Sequence, residues 1–157
     1  DVTVGSGTSV STALWNQNNT STRDYRNNIF ANQRLLSGVG DNDLYAVRIG
    51  GRTNLTMDYN NYWSVVNRLG RSGNRPLRPN LSSWRAETRG DDNSYEVDPL
   101  FVNTSGTWTS AQDFITDISI IDLPGIVISG INDDYDRVGR LDPPKIGAFE
   151  NNNFVWY

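Results

Sequence analysis

The chain says one short phrase twice. Asn27-Asn28-Ile29-Phe30 returns 33 residues later as Asn60-Asn61-Tyr62-Trp63, and each copy is preceded within a few positions by Asp-Tyr and follows a polar loop, glycine-containing in the second copy. Recurrence at a spacing of a few tens of residues is the mark of a chain that stacks on itself and buries a shared core. In a parallel β-helix, an inward asparagine at a corner sits on its equivalent below and the amides hydrogen-bond as a ladder. The phrase therefore predicts a core ladder of Asn27, Asn28, Asn60 and Asn61, with Phe30 and Trp63 filling the interior. The competing reading is that Asn-Asn pairs only mark turns, because asparagine bonds its own backbone and tolerates left-handed conformations.

Composition points the same way. Fifteen Asp stand against three Glu, and thirteen Arg against one Lys. Asp and Asn favour turns over helix interiors, whereas Glu and Lys are the usual helix-surface residues, so the skew predicts a turn-rich β protein. With 157 residues the chain fits one domain. The net charge of −4 lacks the basic footprint of a nucleic-acid binder. There is no cysteine and no histidine, which removes disulfides, thiolate nucleophiles, Ser-His-Asp catalysis and the usual zinc sites. Any metal would be a hard ion held by oxygens, and calcium is the candidate. The longest apolar stretch, 118–131, is broken by Asp122, Pro124, Gly125 and Gly130, so no membrane span is expected.

Along the chain, Val2 and Val4 alternate with polar residues, and Val10 to Trp15 resumes the pattern as a second strand. Tyr25–Phe30 is the first repeat strand. Leu44-Tyr45-Ala46-Val47-Arg48-Ile49 alternates as a strand with one buried face, and 55–63 carries the second repeat. The stretch 64–80, with Arg68, Arg71, Arg75 and Arg78, reads as an Arg-rich loop thrown out from the coils. It is either a grip for an acidic polysaccharide or a solvated loop paired with nearby Asp. Ser82 to Glu87 fits one helical turn with a serine cap.

From here the chain resembles a known group. Asp98-Pro99-Leu100-Phe101-Val102, Asp113-Phe114-Ile115, Asp134-Tyr135-Asp136 with Arg140, and Ile146-Gly147-Ala148-Phe149-Glu150 occur in the order seen at the C-terminal end of extracellular right-handed parallel β-helix proteins of the pectate-lyase-like, choice-of-anchor Q type. The resemblance covers roughly residues 24 to 150. It implies an all-β, right-handed parallel β-helix of about five or six coils, with coils over 1–103 and a loop-rich C-terminal closing segment and apolar tail over 104–157. It also implies a secreted or cell-surface setting. That group holds lyases, hydrolases and members without activity, so it delivers no reaction.

Four sets of residues are candidates for function. Asp133, Asp134 and Asp136 could hold calcium, or could serve a closing turn in which Asp134 or Asp136 pairs with Arg140. Asp91-Asp92 beside Arg85 and Arg89 is a weaker cluster with no catalytic spacing. Trp84 and Trp108, with Arg71 and Arg75, are candidates for stacking on and gripping a carbohydrate. Phe154, Val155, Trp156 and Tyr157 form an apolar tail at one end, and Val2 and Val4 an uncapped strand at the other. Uncapped ends leave unpaired backbone groups that recruit another strand. Either the chain is a trimmed fragment whose preceding coils are missing, or the ends meet and the chain polymerises end to end into fibres. The function expected is thus an extracellular structural module that self-associates. The alternatives are a polysaccharide lyase or hydrolase remnant using Arg, Asp and calcium, or a carbohydrate-binding module.

Overall fold

The computed structural model describes residues 2–3, 6–7, 10–36, 44–102, 109–117 and 122–150. Ten short strands occupy the first half: β1 Val2–Thr3, β2 Ser6–Gly7, β3 Ser11–Asn16, β4 Arg23–Arg26, β5 Ile29–Asn32, β6 Leu35–Leu36, β7 Leu44–Ile49, β8 Leu55–Asp58, β9 Asn61–Ser64 and β10 Gly70–Ser72. Among the described residues they are followed by one α-helix, α1 (Leu81–Thr88), and a single 3₁₀ turn at Ala111–Phe114.

The strands pair in four small sheets, ordered β1-β5-β9, β3-β7-β10, β2-β6 and β4-β8, and every strand pairing is parallel. This corrects the expected architecture. The protein is not a β-helix of five or six coils: its sheets hold two or three strands each, and among the described residues no strand follows Ser72. Proline supplies much of the reason. All six prolines lie beyond Ser72, and a residue without an N–H cannot extend a ladder. Beyond β10 the chain is tied by isolated bridges instead, such as Phe101 to Thr116 and Pro124 to Lys145.

Each repeat phrase makes a corner between two strands, not one continuous strand. Asn27 (φ 59°) separates β4 from β5, and Tyr59 (φ 52°) separates β8 from β9. The pairing places Phe30 against Tyr62 and Ala31 against Trp63, an offset of 32 residues where the sequence comparison used 33. A one-residue slip exchanges the faces of a strand. Tyr62, fully buried, takes the interior place expected of Trp63, which is only partly buried. Its ring stacks on Phe30 at 5.6 Å, between Tyr25 on one side and Trp84 of α1 on the other.

This aromatic column is joined by Ala46, Val47, Ile49, Met57, Leu69 and Leu81 to form the core. β7 lies between β3 and β10 and has five of its six residues buried, as expected for the central strand of a parallel sheet. Helix α1 closes the far side of the core. It is eight residues long and capped by Asn80, whose side chain accepts from the Ser83 N–H at 2.9 Å, so the cap lies before the serines. Trp84 lies flat on Gly70, where a Cβ would stand 2.6 Å from the indole and 3.0 Å from Val47. Gly70→Ala is expected to cost about 1–3 kcal/mol by overpacking, read as a lower urea midpoint with unchanged slope. Among the described residues no helix is long and apolar enough to cross a membrane.

Candidate functional site

Most of the residues singled out from sequence are used inside the fold. Trp84 is fully buried, and its indole N–H donates to Asp91 Oδ2 at 3.0 Å. It is a core residue, not a sugar platform. Arg75 and Arg78 both converge on the buried Glu87 of α1, at 3.2 and 2.7 Å, so these two arginines pair with a glutamate of the helix. Arg71 lies on β10 and donates to the Tyr45 hydroxyl at 3.4 Å. Arg85 beside Asp91-Asp92 binds the carbonyl oxygens of Asp91, Asp92 and Ser94, which is scaffold work.

The aspartates of 133–136 do not converge. Asp134 accepts from the backbone N–H of Val138 and of Glu150 at 2.8 and 2.9 Å, while Asp136 faces Gln112. Arg140 pairs with Glu150 at 2.8 Å instead of with Asp134 or Asp136. Among the described residues no group of three or more acidic side chains is placed to hold a metal ion.

The asparagines divide their work. Asn28 and Asn60 make a side-chain contact one residue out of the register that the repeat implied: Asn28 Nδ2 donates to Asn60 Oδ1 at 3.1 Å, and the Asn28 backbone N–H to the same oxygen at 3.0 Å. Asn61 instead binds the backbone N–H and carbonyl of Val97, and Asn27 does the same with Ile126. Each side chain thereby mimics a strand partner and clamps a later segment. Trp108, Val4 and Phe154–Tyr157 lie outside the described residues. Val2 lies on β1, opposite Ala31.

The Asn27 clamp holds residues 122–150 against the corner of β4 and β5, and an open groove of about 970 Å³ lies between them. Ile29, Phe101, Phe114, Ile128, Ile131 and Leu141 give it apolar walls. Its two guanidiniums are already committed, Arg26 to Asp24 and Arg140 to Glu150.

A different feature stands out at the border of the sheets. Strands β1 to β4 each end their sheet and pair on one side only, among the described residues. Beside β8, β9 and β10 the opposite border is covered. The Tyr95 carbonyl accepts from the Tyr62 N–H beside β9, Asp91 N–H donates to the Met57 carbonyl beside β8, and Arg78 exchanges two backbone bonds with Gly70 on β10.

Within the open border, β4 reads Arg-Asp-Tyr-Arg and is protected by charge, but β3 reads Ser-Thr-Ala-Leu-Trp-Asn. A six-residue edge with no charge, proline or bulge is the kind that accepts another strand. Two exposed apolar residues flank or sit on it, Val10 at 43% and Trp15 at 51% exposure. Arg48 covers the Trp15 ring at 4.8 Å, and Arg71 follows Arg48 in register on β10, with its guanidinium drawn to the buried Tyr45. Beside Trp15 and Arg48 lies a polar cleft of about 380 Å³ lined by Gln17, Asn19, Arg48 and Asn74.

The sequence pattern places Trp15 in a strand but carries no sign of its exposure, which goes with the position of β3 at the end of its sheet among the described residues. No protein-family model matches the chain, no curated protein matches it, and no solved structure matches it.

Proposed function

We propose that this chain is a structural module that associates with further copies of itself, and that β3 is the strand through which it does so. One observation carries the reading: β3 is a six-residue, uncharged strand whose outer edge has no partner among the described residues. Strand addition there would satisfy its outward N–H and C=O groups and cover Val10 and Trp15. The apolar groove adds surface suited to the same role. A secreted or cell-surface setting belongs to this reading and rests on the family resemblance.

The test is a dilution series of the wild type and of Trp15→Lys, followed by sedimentation velocity. Trp15 is exposed, so the variant keeps the fold, while a lysine beside Arg48 brings like charges together at the joint. The wild type is expected to gain mass with concentration and the variant to need at least tenfold more protein to do so. A wild type that stays at 17.6 kDa up to millimolar concentration overturns the proposal.

A second reading, binding of an acidic glycan, is favoured by Trp15 and the Arg48 over it beside the polar cleft. Binding on a glycan array that Trp15→Ala abolishes would support it, and an array without signal would remove it.

A further inference from the structure

Growth into a fibre needs two open borders that fit each other, since a head-to-tail contact repeats without closing. In this protein the borders are unlike. Among the described residues the border of β1 to β4 offers unpaired strand edges, whereas β8, β9 and β10 make backbone bonds of 2.7 to 3.0 Å with Asp91, Tyr95 and Arg78. An incoming β3 would have to displace Tyr95 from Tyr62 and Asp91 from Met57 before it could pair there. Asp91 is also fully buried, with its carboxylate held by Tyr62, Trp84 and Ser94, so that displacement would open the core.

We infer that the assembly is a closed pair, in which β3 of one copy meets β3 of a second copy antiparallel across a two-fold axis. This rests on the self-association reading above and specifies its geometry. Antiparallel pairing is the symmetric arrangement that sets each outward N–H against a C=O, because residues opposite one another exchange both bonds. A strand that meets itself also meets no opposite or like charge, and Ser11–Asn16 carries none. The two sheets of three strands would become one sheet of six, with β3 no longer an edge. The paired edges are short, so the pair is weak and reversible, toward the small end of specific interfaces. The partner is thus a second copy of this chain, and the contact uses up the edge that would otherwise propagate.

The chain has no cysteine, so single cysteines report the contact without background. Thr12→Cys, Ala13→Cys and Trp15→Cys are to be oxidised in turn at a concentration where the wild type is associated, together with Ser82→Cys on the exposed face of α1 as a marker of the covered border. In a two-fold pair, each residue of distance from the axis separates identical positions by about 7 Å, twice the rise per residue. Disulfide-linked dimer is therefore expected to peak at one β3 position, to fall at least tenfold at the farthest, and to be absent at Ser82. Light scattering should plateau at twice 17.6 kDa with no filaments in negative stain. Mass that keeps rising, or mixed disulfides between an Ala13→Cys copy and a Ser82→Cys copy, overturns the closed pair while leaving self-association standing. A wild type monomeric at every concentration overturns both.

Discussion

Replacing Asp91 by alanine is expected to remove about 3–5 kcal/mol of stability, a large share of what a domain of this size has. Asp91 is fully buried, and its two oxygens accept from the Tyr62 hydroxyl at 2.7 Å, the Ser94 hydroxyl at 2.7 Å and the Trp84 indole at 3.0 Å. Alanine leaves three buried donors unmet, and each carries its own desolvation cost of about 1–3 kcal/mol, partly recovered by relaxation. The aromatic column from Tyr25 to Trp84 then loses the group that fixes two of its members. Asp91 also sits at φ 66°, which asparagine tolerates better than alanine, so Asp91→Asn is expected to cost less. Urea unfolding followed by tryptophan fluorescence measures both, and an alanine variant within 1 kcal/mol of the wild type would overturn the account.

The same carboxyl gives a pH signature. Burial raises its pKa above the ordinary 3.8, and hydrogen bonds from Ser94 and its neighbours offset only part of that rise. A raised acid binds its proton more tightly in the folded chain than in the unfolded one. Its contribution is complete below 3.8 and is lost as pH climbs through the folded value. The stability gap between wild type and Asp91→Asn should therefore be widest in acid and narrow as pH rises.

How far was this legible in the residues? Leu44–Ile49 was legible as a strand, and β7 has those bounds, but the single buried face expected of it is not what the fold shows, because a central strand with five of its six residues buried does not alternate. The repeat was legible as a recurrence but not in its register. Matching letters set Asn27 on Asn60, whereas the backbone makes Asn27 equivalent to Tyr59, both left-handed at a corner, and Asn28 equivalent to Asn60. Nothing in a tyrosine announces a positive φ. The end of the strands was written in the prolines, all beyond Ser72, but the Asp-Pro-Leu-Phe and Ile-Gly-Ala-Phe-Glu phrases drew attention to a longer stack instead. The open border could not be read at all. Whether β3 is an edge depends on which strands pair with β7, and that is settled by contacts between residues 33 and 23 positions apart. Likewise, Arg140 had several acids within reach in sequence, and only the fold selects Glu150.

Arg140→Ala is expected to release residues 122–150 while leaving the strands folded. Arg140 donates to the Glu150 carboxylate at 2.8 Å and to the carbonyl oxygens of Lys145 and Gly147, so one guanidinium ties three points of an otherwise irregular segment. The Glu150 side chain is fully buried and also accepts from the Lys145 N–H at 3.0 Å. Removing the arginine strands that charge, a change that costs about 3–5 kcal/mol when a buried pair is broken from one side. The cost falls locally, because the segment joins the strands through few bonds, chiefly Asn27 to Ile126 and Gly147, and Tyr95 to Pro124. Opening it is cheaper than unfolding the core around Tyr62 and Trp84. Amide exchange across 122–150 should accelerate at least a hundredfold in Arg140→Ala, with β7 and β9 protected as in the wild type. Restoring neutrality with Arg140→Met and Glu150→Leu together should recover most of the protection, since an apolar pair of similar volume often matches a buried ion pair. Exchange that rises equally over β7 would mean that the C-terminal segment and the strands unfold as one unit.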